Sequence, residues 1–171
     1  MNLKIEVATE KDFDEILKLK QDIWNNMDNK EWYFIDETNK EFLKRELEND
    51  GVIIKTLDND KIVAFLIMEV NLKNDDKLLK LTGLENEYTK CIKFRNVAVH
   101  PDYRGNNLQM KMGIVAEEIM LKKRDIKYML SNAHPDNIAS IKSLQKLGYE
   151  VVCQTKMYNG KDRVILLKEI N

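Results

Sequence analysis

A chain of 171 residues, 43% hydrophobic and 33% charged, has the length and composition of one globular domain spanning residues 1–171, large enough to bury roughly 68–70% of its unfolded surface without a disulfide or metal staple. No apolar run approaches the ~18 residues of a membrane span, the opening "MNLKIEVATEKDF" has no apolar signal core, and Cys91 and Cys153 lie too far apart for a metal motif. With a net charge of −1 and no basic patch interleaved with aromatics, the chain reads as cytoplasmic, metal-free, and a partner of neither membranes nor nucleic acid.

Leu3, Ile5 and Val7 alternate with polar residues and predict a first strand. Thr9 and Asp12 resemble a capping box, and Phe13, Ile16, Leu17, Leu19 and Ile23 recur at helical spacing, which predicts a helix from Asp12 to about Asn26. Thr38 and Glu41 repeat the capping signal before Phe42, Leu43 and Leu47, a second helix that Asp50 and Gly51 end. "GVIIKTLD" and "KIVAFLIMEV" predict a hairpin across "DNDK", and the second run is apolar on both faces, so it belongs in the middle of a sheet. Residues 71–90 are polar and mixed and read as an exposed excursion with room for some short structure, suited to an acceptor-side loop. "CIKFRNVAV" is the next strand, and Leu108, Met112, Val115, Ala116 and Ile119 mark a helix ending near Lys123. After the strand "KYMLSN", Pro135 opens a helix through Ile138, Ile141, Leu144 and Leu147, closed by Gly148. "YEVVCQTKMYN" and "DRVILLKEI" form a closing hairpin over Asn159 and Gly160.

Turn chemistry gathers at "NVAVHPDYRGNNLQMKM", Asn96 to Met112, in a chain with only six glycines and two prolines. A strand that turns into a helix here aims several backbone N–H groups at one place, which suits an anion. Residues 1–90 hold 14 basic and 21 acidic residues, a net −7, against 14 and 8, a net +6, in residues 91–171. The basic half carries the turn and fits a phosphate ligand.

The strand running into "HPDYRGNNLQ", the helix after it, and "NIASIKSLQKLGY" resemble the GNAT superfamily of acetyl-CoA dependent N-acetyltransferases. The resemblance covers essentially the whole chain. It implies an α/β fold of the α+β type: a mixed, mostly antiparallel sheet of about seven strands, flanked by about four helices and splayed between the fourth and fifth strands. It also implies that the loop amides bind the coenzyme A pyrophosphate, here at Arg104, Gly105, Asn106, Asn107, Leu108 and Gln109. The pantetheine arm would pair with the backbone of Val97, Ala98 and Val99, and Asn137 would contact the cofactor. Arg104, Lys111, Lys142 and Lys146 are candidate phosphate cations.

Two positions depart from the family's loop pattern. Asn107 stands where a glycine is usual, and Asn enters the left-handed region more readily than other non-glycine residues; Gln109 stands where a small residue is usual. A third departure is Leu144, at the position where many members carry a tyrosine that protonates the departing thiolate. Tyr149 reads as a packing residue, and His100 and His134, each before a proline, read as turn residues.

Acetyl transfer needs a neutral amine at the thioester carbonyl, oxyanion stabilisation and a proton for sulfur. No nucleophile with an adjacent base is visible, so direct attack in a ternary complex is expected. The backbone N–H of Val97 or Val99 would meet the oxyanion, Glu69 or Glu87 would act as general base, and Trp32, Tyr33 and Asp36 would hold the acceptor, with Trp24 nearby. The expected acceptor is a primary amine of a small molecule or peptide, and the expected assembly a monomer or homodimer. Acetylation of a protein N-terminus or lysine is an alternative, as is a catalytically inactive CoA-binding module.

Overall fold

A computed structural model of the chain describes residues 1–33 and 38–171. Its strands are β1 (Leu3–Val7), β2 (Val52–Asp58), β3 (Lys61–Glu69), β4 (Cys91–Val99), β5 (Tyr128–Ala133), β6 (Glu150–Met157) and β7 (Lys161–Glu169). They form one sheet in the order β1-β2-β3-β4-β5-β7-β6. All neighbours are antiparallel except β4 and β5, which run parallel. The helices are α1 (Phe13–Asn25), α2 (Lys40–Glu48), α3 (Lys77–Thr82), α4 (Leu108–Lys123) and α5 (Ile138–Lys146). Among the described residues, no helix is long and apolar enough to cross a membrane.

Each face of the sheet has its own core. Leu108, Met112, Ala116 and Met120 bring α4 onto Ile54, Leu66, Met68 and Phe94. On the other face, Phe13, Ile16, Leu19 and Ile23 of α1 and Phe42 and Leu43 of α2 pack on Ile53, Phe65, Ile67 and Ala98. β3 is therefore buried on both sides, as its unbroken apolar run predicts. The helix α4 approaches so closely that a Cβ at Gly113 would lie 2.6 Å from Leu147 Cδ1 and 3.1 Å from the Phe94 ring.

Several boundaries differ from the sequence reading. The Thr9–Asp12 capping box is present, but it closes a single 3₁₀ turn, Glu10–Asp12, ahead of α1. The cap of α2 is Asn39, which accepts from the Phe42 N–H at 2.9 Å, one residue after the expected Thr38. Pro135 does not begin α5: residues 134–137 make a turn, and the Asn137 side chain caps the helix by accepting from the Ser140 N–H. The largest correction falls on residues 71–90. This segment holds α3, a fifth helix where about four were expected, followed by the 3₁₀ turn Glu85–Lys90. Leu72, Leu78, Leu79 and Leu84 are buried with Leu130 and Ile165 in a third apolar cluster. Asp76 caps α3 by accepting from the Leu78 N–H at 2.8 Å, and Gly83 ends it at φ 70°. Averaging over a polar stretch hides four leucines that are spaced for burial on one side.

Candidate active site

The parallel ladder of β4 and β5 runs only from Cys91 to Lys93 opposite Tyr128 to Leu130. Beyond it β4 follows β3 and β5 follows β7, so the sheet forks. The Ser131 hydroxyl donates to the Phe94 carbonyl at 3.1 Å and closes the base of the fork.

A β-bulge shapes the exposed edge of β4. Phe94 lies opposite Met68 and Asn96 opposite Ile67, which leaves Arg95 as an extra residue. The bulge sends Asn96 and Ala98 to the α1 face and Val97 and Val99 to the α4 face beside Phe94. The spacing itself carries this signal: Ile92 and Phe94 are two apart, Phe94 and Val97 three, Val97 and Val99 two again. The His100 N–H bonds the Val63 carbonyl on β3. Strand alternation then turns the N–H groups of Val97 and Val99 away from β3, toward the fork.

The loop after β4 is anchored at both ends. His100 Nδ1 accepts from the Asp102 N–H, and His134 Nδ1 accepts from the Asp136 N–H, so both histidines close His-Pro-Asp turns. The Tyr103 hydroxyl donates to Asp58 Oδ2 at 2.9 Å, which raises the Tyr103 pKa and fixes the loop to β2. Gly105 takes φ 81° with open space where a Cβ would stand, and Asn107 takes φ 57°. Asn107 supplies no side-chain cap, so it covers none of the first-turn donors of α4, which lack intrahelical partners. Gln109 does not crowd that helix start, because its Nε2 donates to the Ser140 hydroxyl at 3.1 Å and ties α4 to α5. Arg104, Lys111, Lys142 and Lys146 are exposed.

At the fork lies a cavity of about 300 Å³. Phe94 to Val97 line it from β4, Asn132 and Ala133 from β5, and Asn137 and Ser140 from α5. Trp32 and Tyr33 reach it from the connection after α1, Asp76 to Leu78 from α3, and Met157, Tyr158 and Arg163 from the last hairpin. Of the residues expected from sequence, Val97, Asn137, Trp32 and Tyr33 thus meet here. Asp36 lies outside the described residues, and Trp24 sits apart, with Lys30 Nζ 4.9 Å from its ring.

The two expected bases do not line this cavity. Glu69 is buried and its Oε2 is held by Arg95 Nη1 at 2.6 Å and Lys93 Nζ at 3.5 Å. Glu87 belongs to the 3₁₀ turn before β4, where its carbonyl meets the Cys91 thiol at 3.2 Å. Burial, with Glu87 and Asp76 nearby, pushes that thiol up to about 11, which leaves it inert at neutral pH. Tyr149 and Leu144 are core residues under α4.

Sequence reasoning missed Asn132, Tyr158 and Arg163. Asn132 Nδ2 donates to the Tyr158 hydroxyl at 3.1 Å, and the Arg163 guanidinium lies 5.4 Å from the Tyr158 ring centroid. Tyr33 donates to Asn96 Oδ1, and Asn96 Nδ2 reaches the Thr38 hydroxyl at 3.3 Å. A charged residue continuing the apolar alternation of Ile165 and Leu167 was the available signal for Arg163.

The model of the acetyltransferase (GNAT) family matches residues 13–149. Among solved structures, yncA of Salmonella typhimurium, described as an acetyltransferase and solved with its cofactor acetyl-CoA, aligns with a TM-score of 0.76 at 15% identity, over 99% of this chain and 94% of that one. A GNAT-family acetyltransferase of Streptococcus pneumoniae aligns with a TM-score of 0.76 at 16% identity, over 99% of this chain and 100% of that one. The ribosomal-protein-alanine N-acetyltransferase of Brucella melitensis aligns with a TM-score of 0.73 at 17% identity, over 98% and 99%. No curated protein matches the sequence.

Proposed function

From the premise that the chain belongs to the acetyltransferase (GNAT) family, we propose that it moves the acetyl group of acetyl-CoA to the primary amine of a small molecule or peptide, by direct attack with both substrates bound. The observation that carries this reading is the fork: an unpaired β4 edge with Val97 and Val99 amides turned outward, a cavity beside it and an uncapped helix start after it.

The residues fit acetyl-CoA in character. The open left-handed turn at Gly105 and Asn107, with Arg104, Asn106, Leu108 and Gln109 around the α4 start, would hold the pyrophosphate. The edge of Val97, Ala98 and Val99 would take the pantetheine arm as an added strand, and Asn137 would stand beside it. When bound, acetyl-CoA supplies the activated thioester carbonyl. The Val97 or Val99 N–H would meet the negative charge that develops on its oxygen.

Among the described residues no thiol lines the cavity, which favours direct attack over a covalent acyl-enzyme. Glu69 is committed to two cations, so the proton of the incoming ammonium passes to solvent in the open cleft. Two phenols line the cavity, and Tyr33 gives its proton to Asn96, whereas Tyr158 accepts from Asn132. We assign the protonation of the departing thiolate, the role Leu144 cannot fill, to Tyr158, because it lines the cavity beside Asn132. Trp32 and Tyr33 border the acceptor.

Calorimetric titration with acetyl-CoA tests the reading. Saturable binding is expected, weakened about tenfold or more by Gly105→Glu, which adds negative charge and a Cβ at φ 81°. Thiol release on an amine panel should follow. Absence of binding at millimolar acetyl-CoA would overturn the proposal, and tight binding with no turnover on any amine would select the inactive CoA-binding module.

A further inference from the structure

Arg163 is 2% exposed, yet it lines the cavity. Its one hydrogen bond to a protein oxygen among the described residues runs from Nη1 to the Asp162 carbonyl at 2.6 Å. The nearby carboxylates are engaged elsewhere: Asp162 pairs with Lys156 at 2.9 Å, and Glu31 with Lys161 at 3.8 Å. The guanidinium carbon lies over the Tyr158 ring, 5.4 Å from its centroid. A buried cation with no carboxylate paired to it is costly: burial lowers the Arg163 pKa and outweighs Glu31 and Asp162, which act on it only through their field.

The other charges lining the cavity do not offset it. Lys93 is paired with Asp76 at 2.5 Å, Arg95 with Glu69 just outside the lining, and Lys77 donates to the Lys156 carbonyl at 2.9 Å. Asp76 is thus the one carboxylate among the described lining residues, against Lys77, Lys93, Arg95 and Arg163. Among the described residues the lining is therefore net basic, which disfavours a basic peptide.

We propose that Arg163 is an anion subsite of the acceptor pocket, and that the acceptor is a small amine that also carries a carboxylate, as an amino acid does. This rests on the acetyl-transfer reading and narrows its substrate class. A planar carboxylate matches the guanidinium fork edge-on. The subsite orients the acceptor, leaving its amine to face the β4 edge.

The test compares the twenty amino acids with their amides, and phosphoethanolamine with ethanolamine, by thiol release from acetyl-CoA. Acids should exceed their amides by about ten- to a hundredfold in kcat/KM, the scale of a lost charge-assisted hydrogen bond. Arg163→Met should erase that preference through KM while acetyl-CoA binding stays unchanged; Arg163→Lys should keep part of it and serves if the methionine variant does not fold. A preference for phosphoethanolamine over every amino acid would overturn the carboxylate assignment. Equal rates on acids and amides, or a preference that survives in Arg163→Met, would overturn the subsite. A parallel thermal-shift series without acetyl-CoA separates the two proposals. Stabilisation by acids but not amides, lost in Arg163→Met, with no turnover of any amine, upholds the subsite and removes acetyl transfer. Turnover of acids and amides alike does the reverse.

Discussion

Tyr158 occupies left-handed backbone, φ 48°, in a run with Asn159 at 61° and Gly160 at 95°. A ring is seldom found there without a compensating contact, and Asn132 and Arg163 provide two. Replacing it with phenylalanine keeps the ring under Arg163 and removes only the hydroxyl. We expect Tyr158→Phe to lower kcat about a hundredfold with little change in KM, measured by steady-state thiol release; an unchanged kcat would remove Tyr158 as the proton donor. At this scale the loop residues were legible, because Gly105 and Asn107 belong to residue types that accept positive φ and because Gln109 has a polar end that finds Ser140. Glu69 was not, since its pairing with Arg95 crosses from β3 to β4, 26 residues away. Asn132, Tyr158 and Arg163 were hidden for the same reason: their meeting depends on the β5–β7 and β6–β7 registers.

Elements with strong local chemistry emerged where the pattern placed them. The β2–β3 turn has Asn59 at φ 47° and Asp60 at 68°, both left-handed as a two-residue hairpin requires. The helix α4 ends at Lys123. The helix α3 was missed because its six residues bury only Leu78 and Leu79, too short a run to show a period. The entry to α1 also bears on stability. Burial raises the Asp12 pKa, but the Lys55 ammonium at 2.8 Å and the Thr9 N–H at 2.7 Å outweigh it, and the carboxyl titrates below its ordinary value of about 3.9. A depressed folded pKa gives stability that is present above that value and is lost as pH falls through the folded one. Asp12→Asn should therefore lower Tm by about 2–4 °C at pH 7, and the gap to wild type should close as pH falls below about 4. A gap that persists at pH 2 would show that the contribution is not ionic.

For the whole molecule, the seven strands behave as two leaves, β1–β4 and β5–β7, joined by three residue pairs. Hydrogen exchange should report this directly: in the absence of ligand the Val97 and Val99 amides should exchange at least about tenfold faster than the Ala98 amide, which faces β3, and acetyl-CoA should slow them. Equal protection of all three would mean that the fork is closed in solution. The leaves also differ in what they bring. The left one carries the β4 edge and leads into the anion loop; the right one carries Asn132, Tyr158 and Arg163. In a lineage of such proteins, choice of acceptor can drift by substitution on the right leaf and at Trp32 and Tyr33 while the β4 edge is inherited intact, and the gap between the leaves absorbs a change in side-chain size without breaking a rung.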